Sequence, residues 1–160
     1  MNKKLKKTNA MRILEQLKIE YETKEYEVDE NNLDAIHAAG SAGLKSECVY
    51  KTIVMQSSDK SVFVFCLAAG ENISLKKARA ITGSKDIDLI MMDTLQKTTG
   101  YIRGGCSPLG MKKTFPTYIS EMAQLEQTIY VSAGVRGLQL KLKPDDLLQA
   151  TNATYEDFIQ

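Results

Sequence analysis

Four of the chain's ten glycines and one of its three prolines fall between Gly100 and Lys113, in the run Gly-Tyr-Ile-Arg-Gly-Gly-Cys-Ser-Pro-Leu-Gly-Met-Lys-Lys. No helix or strand interior tolerates that density, so the flanking polypeptide must fold around a loop here. Glycine opens backbone angles closed to other residues, and without a Cβ it lets main-chain N–H groups approach another molecule. Pro108 fixes its own φ and steers Ser107 away from the helical region, which stiffens the loop. Two readings remain open on this evidence: a tight connection between strands, or a preorganised set of backbone donors. The run contains neither a phosphate-loop pattern nor a dinucleotide fingerprint.

The 160-residue sequence as a whole supplies ordinary globular material, 43% apolar and 26% charged, enough for one domain with its own core. The longest apolar run, Val62 to Ala69, is too short to cross a bilayer, and the basic start (Lys3, Lys4, Lys6, Lys7) leads into an amphipathic helix rather than a signal-peptide core. A cytoplasmic location is the expectation. Cys48, Cys66 and Cys106 are odd in number, far apart and outside any C-x-x-C, so neither a disulfide framework nor a zinc site is indicated. A formal net charge of +1 argues against a grip on long nucleic acid through charge alone.

Periodicity assigns the elements. A helix follows Thr8 or Asn9 as N-cap, with Ala10, Ile13, Leu14 and Leu17 on one stripe. An extended segment spans 19–28, then a short helix ends at Gly40. Strands are expected at 49–56 and 62–67, paired as a hairpin, with the second buried on both faces. A helix capped by Ser74 ends at Gly83, a strand covers 87–91, and a helical turn capped by Asp93 ends at Gly100. Further strands cover 117–119, 128–132 and 138–142, and Pro144 opens a last helix. Strands in groups, without regular β-α-β alternation, favour an α+β fold.

Within the strand at 49–56, alternation puts Lys51 on one face with Val49, Ile53 and Met55. Such a lysine either snorkels to solvent at a sheet edge or is held in a pocket for its charge. Cys106 and Ser107 lie in the glycine-rich loop, yet the only histidine, His37, is far away in sequence, so no complete Ser-His-Asp or Cys-His set is present. Lys112, Lys113 and Arg136 are each either phosphate contacts or ordinary solvated charges.

Three stretches taken in order, Val49-Tyr50-Lys51-Thr52, Gly100-Tyr101 with Gly104 to Lys113, and Val131-Ser132-Ala133-Gly134-Val135-Arg136-Gly137-Leu138, closely resemble the YbaK/EbsC family. These are bacterial trans-editing proteins related to the editing domain inserted in prolyl-tRNA synthetases. The resemblance runs from about Thr8 to Leu148. It implies one editing domain over residues 1–160, an α+β fold whose mixed, mostly antiparallel sheet curls into an irregular barrel with flanking helices. The implied activity is deacylation of mischarged Cys-tRNA(Pro), and more loosely of Cys-tRNA(Cys), with the substrate thiol attacking its own ester.

By the same resemblance, Lys51 matches the family's functional lysine and Gly104 opens its G-x-x-x-P loop, closed here by Pro108. Both Lys51 and Gly104 are expected to be catalytic. Tyr26, Gly105, Cys106, Ser107, Pro108 and Gln139 are expected to contact substrate, and Lys112, Lys113 and Arg136 the nucleic acid. No cofactor and no metal are implied; the partner is the 3′ end of Cys-tRNA(Pro), with prolyl-tRNA synthetase as a further candidate. Gln139 stands where family members carry an acidic residue, and Cys106 where relatives have an apolar one. Two alternatives accompany this reading, an Ala-tRNA(Pro) deacylase and a non-catalytic regulatory or tRNA-binding protein.

Overall fold

Local sequence signals set most element boundaries in the computed structural model, which describes residues 6–160; Lys3 and Lys4 of the basic start lie outside them. Thr8 caps α1 (Asn9–Gln16), its hydroxyl accepting from Met11 N. Ala10, Met11 and Leu14 are buried on that helix, but Leu17 is its C-cap and is exposed, so the apolar stripe is one turn shorter than expected. Of the extended segment, only β1 (Glu22–Glu25) pairs with a neighbour. Asp34 caps α2 (Ala35–Ala42), which continues through Gly40 and stops at Gly43, where φ is +71°. Gly40 keeps a helical φ, so the expected stop there is displaced by three residues.

The hairpin of β2 (Tyr50–Gln56) and β3 (Val62–Ala68) forms as read, Lys51 facing Leu67 and Met55 facing Phe63. Ser74 caps α3 (Leu75–Thr82), which ends at Gly83. Next come β4 (Asp88–Leu89) and α4 (Met92–Thr99), the latter beginning after Met91 with no side-chain cap. Asp93 lies inside its first turn rather than at the cap, where it still favours the positive helix end. The chain closes with β5 (Thr117–Ser120), a 3-10 turn over Glu121–Leu125, β6 (Ile129–Ser132), β7 (Leu138–Leu142), α5 (Pro144–Thr151) and β8 (Thr154–Glu156).

These strands make two sheets, one in the order β1-β7-β6 and one in the order β4-β2-β3-β5-β8. Pairing is antiparallel except at β3-β5 and β5-β8, so the expected mixed α+β architecture is present. The irregular barrel is not. Closure needs every strand paired along both edges, and here the end strands of each sheet keep an open side. The sheets meet through an isolated parallel bridge, Val49 to Tyr130.

Both faces of β3 are covered, which explains its unbroken apolar sequence. Val64 and Cys66 enter a core with Leu14 of α1, Val131 and Leu140 of the small sheet, and Leu147 of α5. Phe63, Phe65 and Leu67 point the other way, against Ala78 of α3 and Phe158. Phe65 is fully buried, its ring 4.9 Å from that of Phe158 and 5.2 Å from that of Tyr118. Aromatic pairs of this kind add about 0.5–1.5 kcal/mol each beyond area burial. The hairpin is thereby fixed rigidly, and its outer end carries Lys51.

Candidate functional site

A cavity of about 430 Å³ opens where the start of β2, the N-terminus of α2 and the glycine-rich loop converge. Lys51, Tyr26, Gly104, Cys106 and Gln139 all line it. The volume lies within the usual range for a small-molecule site. Lys51 is half-buried, and its Nζ donates to Ala69 O at 3.1 Å. An ammonium has three N–H groups, so two remain available. Burial holds the amine below the ordinary lysine pKa, while the carboxylates of Glu71 and Asp34 pull it back up. Lys51 thus lines the cavity with its amine half-buried.

The loop itself divides. Gly104 and Cys106 face the cavity, whereas Ser107, Pro108 and Leu109 are buried behind it. Ser107 Oγ accepts from Leu109 N at 3.2 Å, and Pro108 lines a different cleft together with Ile13 and Met111. Gly105 is buried against the backbone of the β6–β7 turn, where a Cβ would lie 3.1 Å from Arg136 N. The sequence-based expectation grouped Gly105, Ser107 and Pro108 with the substrate contacts. In the fold none of the three lines the cavity, and their contacts instead give the loop its shape.

Cys106 sits in a largely apolar setting beside Val54 and Leu95, and burial pushes its thiol up to about 12. A thiol held neutral there is a poor nucleophile. Replacing Cys106 with alanine is expected to change any ester cleavage at this site less than about threefold, since a neutral thiol is a poor nucleophile. An abolished single-turnover rate in that variant would reinstate the thiol as nucleophile.

Gln139 alternates with Leu138 and Leu140 along β7, but the face it occupies is covered as well. It is buried at 6% exposure, and its Oε1 has no hydrogen-bond partner among the described residues. Thr52 Oγ1, also at the cavity wall, is likewise unpartnered. Unsatisfied buried polar atoms are costly, and neither of these two atoms reaches the open surface of the cavity. Thr52 and Asp34 were not singled out from sequence. Asp34 caps α2, and nothing local marks which helix end will face a cavity.

The expected nucleic-acid contacts lie outside the cavity. Lys112 and Lys113 are exposed, with Lys112 Nζ donating to Lys97 O at 3.3 Å. Arg136 borders a neighbouring groove of about 650 Å³ that also includes Lys6, Lys7 and Tyr101. Its Nε–H donates to Arg103 O at 2.8 Å. Among the described residues, no group of three or more His, Cys, Asp or Glu is placed to hold a metal ion, and no helix is long and apolar enough to cross a membrane.

Comparison with known proteins adds three findings. A family model described as an aminoacyl-tRNA editing domain matches residues 29–150. EbsC of Enterococcus faecalis (strain ATCC 700802 / V583), whose name proposes a Cys-tRNA(Pro)/Cys-tRNA(Cys) deacylase, is 41% identical over 151 residues, 94% of this chain and 92% of that one. Among solved structures, hypothetical protein APE2540 superposes with a TM-score of 0.86 at 15% identity over 96% of this chain and 100% of its own. A proposed trans-editing enzyme for prolyl tRNA synthetase superposes with a TM-score of 0.77 at 20% identity over 88% and 87%. At those identities the structural likeness is one of fold.

Proposed function

The chain belongs to the aminoacyl-tRNA editing domain family, and from that membership we propose that it is a deacylase clearing Cys-tRNA(Pro), and more loosely Cys-tRNA(Cys), with Lys51 and Gly104 at the reacting ester. The observation that carries the site assignment is the convergence of a half-buried amine and the Gly104 end of the glycine-rich loop on one cavity whose lining residues include no histidine.

The bond to be cut is an activated ester between the aminoacyl carbonyl and a ribose hydroxyl. Such a substrate needs positioning and charge stabilisation more than a protein nucleophile. The cysteinyl sulfur attacks its own carbonyl carbon, a C–S bond forms, the C–O bond to the ribose breaks, and the thiol proton ends on the departing ribose oxygen. The products are a small thiolactone, which water opens to cysteine, and free tRNA. The Lys51 ammonium faces the developing oxyanion or the terminal ribose, and the Gly104 N–H adds a second donor. Tyr26 and Gln139 shape the wall. Selectivity then comes from chemistry, because a pocket separates side chains by only about 1–3 kcal/mol per methylene.

Lys112 and Lys113 sit outside the cavity, where the phosphates of the 3′ end would pass. With a net charge of +1, unaided grip on tRNA is weak and salt-sensitive, so delivery by prolyl-tRNA synthetase in the cytoplasm completes the proposal.

Single-turnover cleavage of Cys-tRNA(Pro), Ala-tRNA(Pro) and S-methylcysteinyl-tRNA(Pro) tests it. Cleavage of the first alone is expected, since methylation removes the attacking thiol and leaves the ester intact. Equal cleavage of the S-methyl substrate would mean attack by water. Cleavage of Ala-tRNA(Pro) would point to an alanine editor, and binding without turnover to a regulator.

A further inference from the structure

The turn that presents Gly104 accepts a hydrogen bond from a side chain that does not line the cavity. Gly105 N–H donates to Ile102 O at 3.0 Å, closing a four-residue turn. Its third residue, Gly104, has φ +84°, and its second, Arg103, is not among the positive-φ residues. Those are the marks of a type II turn. Type I and type II turns differ by a flip of the middle peptide, here Arg103–Gly104, through roughly half a revolution. Because this peptide is trans, the Arg103 carbonyl and the Gly104 N–H point in opposite directions. A flip would therefore reverse the N–H.

Arg136 Nε–H donates to that Arg103 carbonyl at 2.8 Å. Arg136 borders the adjoining groove and not the cavity, whereas Gly104 borders the cavity. Its reach is fixed by close packing: the Gly105 Cα lies so near the backbone of Val135 and Arg136 that a Cβ would fall 3.1–3.3 Å from three of their atoms. Arg103 and Gly104 both line the cavity; holding the Arg103 carbonyl toward Arg136 turns the Gly104 N–H away from Arg136, and that N–H has no acceptor among the described residues.

We infer that Arg136 is a positioning residue, whose hydrogen bond to Arg103 O locks the turn with the Gly104 N–H facing the cavity as a donor to the reacting carbonyl oxygen. The catalytic half of this inference rests on the deacylase reading above; the conformational half does not. It also changes the part expected of Arg136 from phosphate contact to control of the loop.

The test compares Arg136→Met and Arg136→Lys with the unchanged protein. The saturating single-turnover rate on Cys-tRNA(Pro) is expected to fall about 10- to 100-fold in both, with the half-saturating protein concentration unchanged. That is less than the loss of an entire oxyanion donor, because the turn still visits the productive orientation. A phosphate contact predicts the reverse: unchanged rate, weaker half-saturation, and rescue by lysine, which keeps the charge. That pattern would overturn the inference. Glycine-selective 15N labelling supplies a readout independent of activity. The Gly104 amide resonance should move in Arg136→Met, and the Gly105 amide should exchange faster, with the amides of β3 unaffected. Unmoved Gly104 and Gly105 signals would sink the lock even in a protein without deacylase activity. Loss of activity in the unchanged protein would sink only the functional reading. Arg136→Lys keeps the aliphatic stem beside Gly104, so it serves should Arg136→Met fail to fold.

Discussion

Replacing Lys51 with alanine is expected to lower the single-turnover deacylation of Cys-tRNA(Pro) by about 100-fold or more, the loss seen when a preorganised charge partner is removed from a developing oxyanion. At about 1.36 kcal/mol per tenfold, that is near 2.7 kcal/mol of transition-state stabilisation. Lys51→Met should lose as much activity without losing stability, because the amine is held in a partly desolvated setting. The sign follows from linkage. Burial puts the folded-state pKa below the unfolded one, so between the two values the unfolded chain binds more protons and stability rises with pH. At lower pH the charge opposes folding and is present for function. Activity therefore fades as pH climbs through the folded-state value, earlier than for a solvated lysine, once uncatalysed ester hydrolysis is subtracted. A Lys51→Met variant with full activity would remove the ammonium from the mechanism.

The second large effect is on stability. Gly134 has φ +105°, and a Cβ there would sit 2.9 Å from Cε1 of Tyr101. That ring cannot step aside, because the Tyr101 hydroxyl is hydrogen-bonded to Leu109 O, the carbonyl next to Pro108. Gly134→Ala thus combines a left-handed backbone penalty of about 1–2 kcal/mol with overpacking of about 1–3 kcal/mol. The sum, about 3 kcal/mol, should lower the melting temperature by roughly 6–12 °C for a chain of this size. Gly40→Ala is the matched control. It lies inside α2 with nothing within 4 Å of the added Cβ, and is expected to be neutral or to stabilise by up to about 1 kcal/mol. Equal melting temperatures for the Gly134→Ala and unchanged proteins would show that the loop is not braced in this way. Activity in Gly134→Ala should fall as well, because Tyr101 ties the β6–β7 turn to the segment that carries Gly104.

Much of the fold was legible because its causes are local. Thr8 and Ser74 each supply a capping oxygen within three residues of the N–H it satisfies. The even burial of β3 is written in its composition. Gly40 and Asp93 were misread for a related reason: each offers a capping side chain or a flexible backbone, and the neighbours that extend or begin the helix decide whether it is used. The barrel was a matter of global pairing, and strands as short as β4 and β8 do not announce whether their free edges will meet.

The sequence alone determined that a stiff glycine-rich loop exists, that Lys51 shares a strand face with apolar residues, and that no nucleophile–base pair is available in order along the chain. Those are properties of composition and period, which hold before any folding. Only the tertiary structure decided that Gly104 and Cys106 face the cavity while Ser107 and Pro108 brace it from behind, that Gln139 is buried, and that Arg136 reaches Arg103. Each of those depends on two segments far apart in sequence meeting at contact distance. Contact of that kind is set by packing of the two cores, on which local propensity is silent.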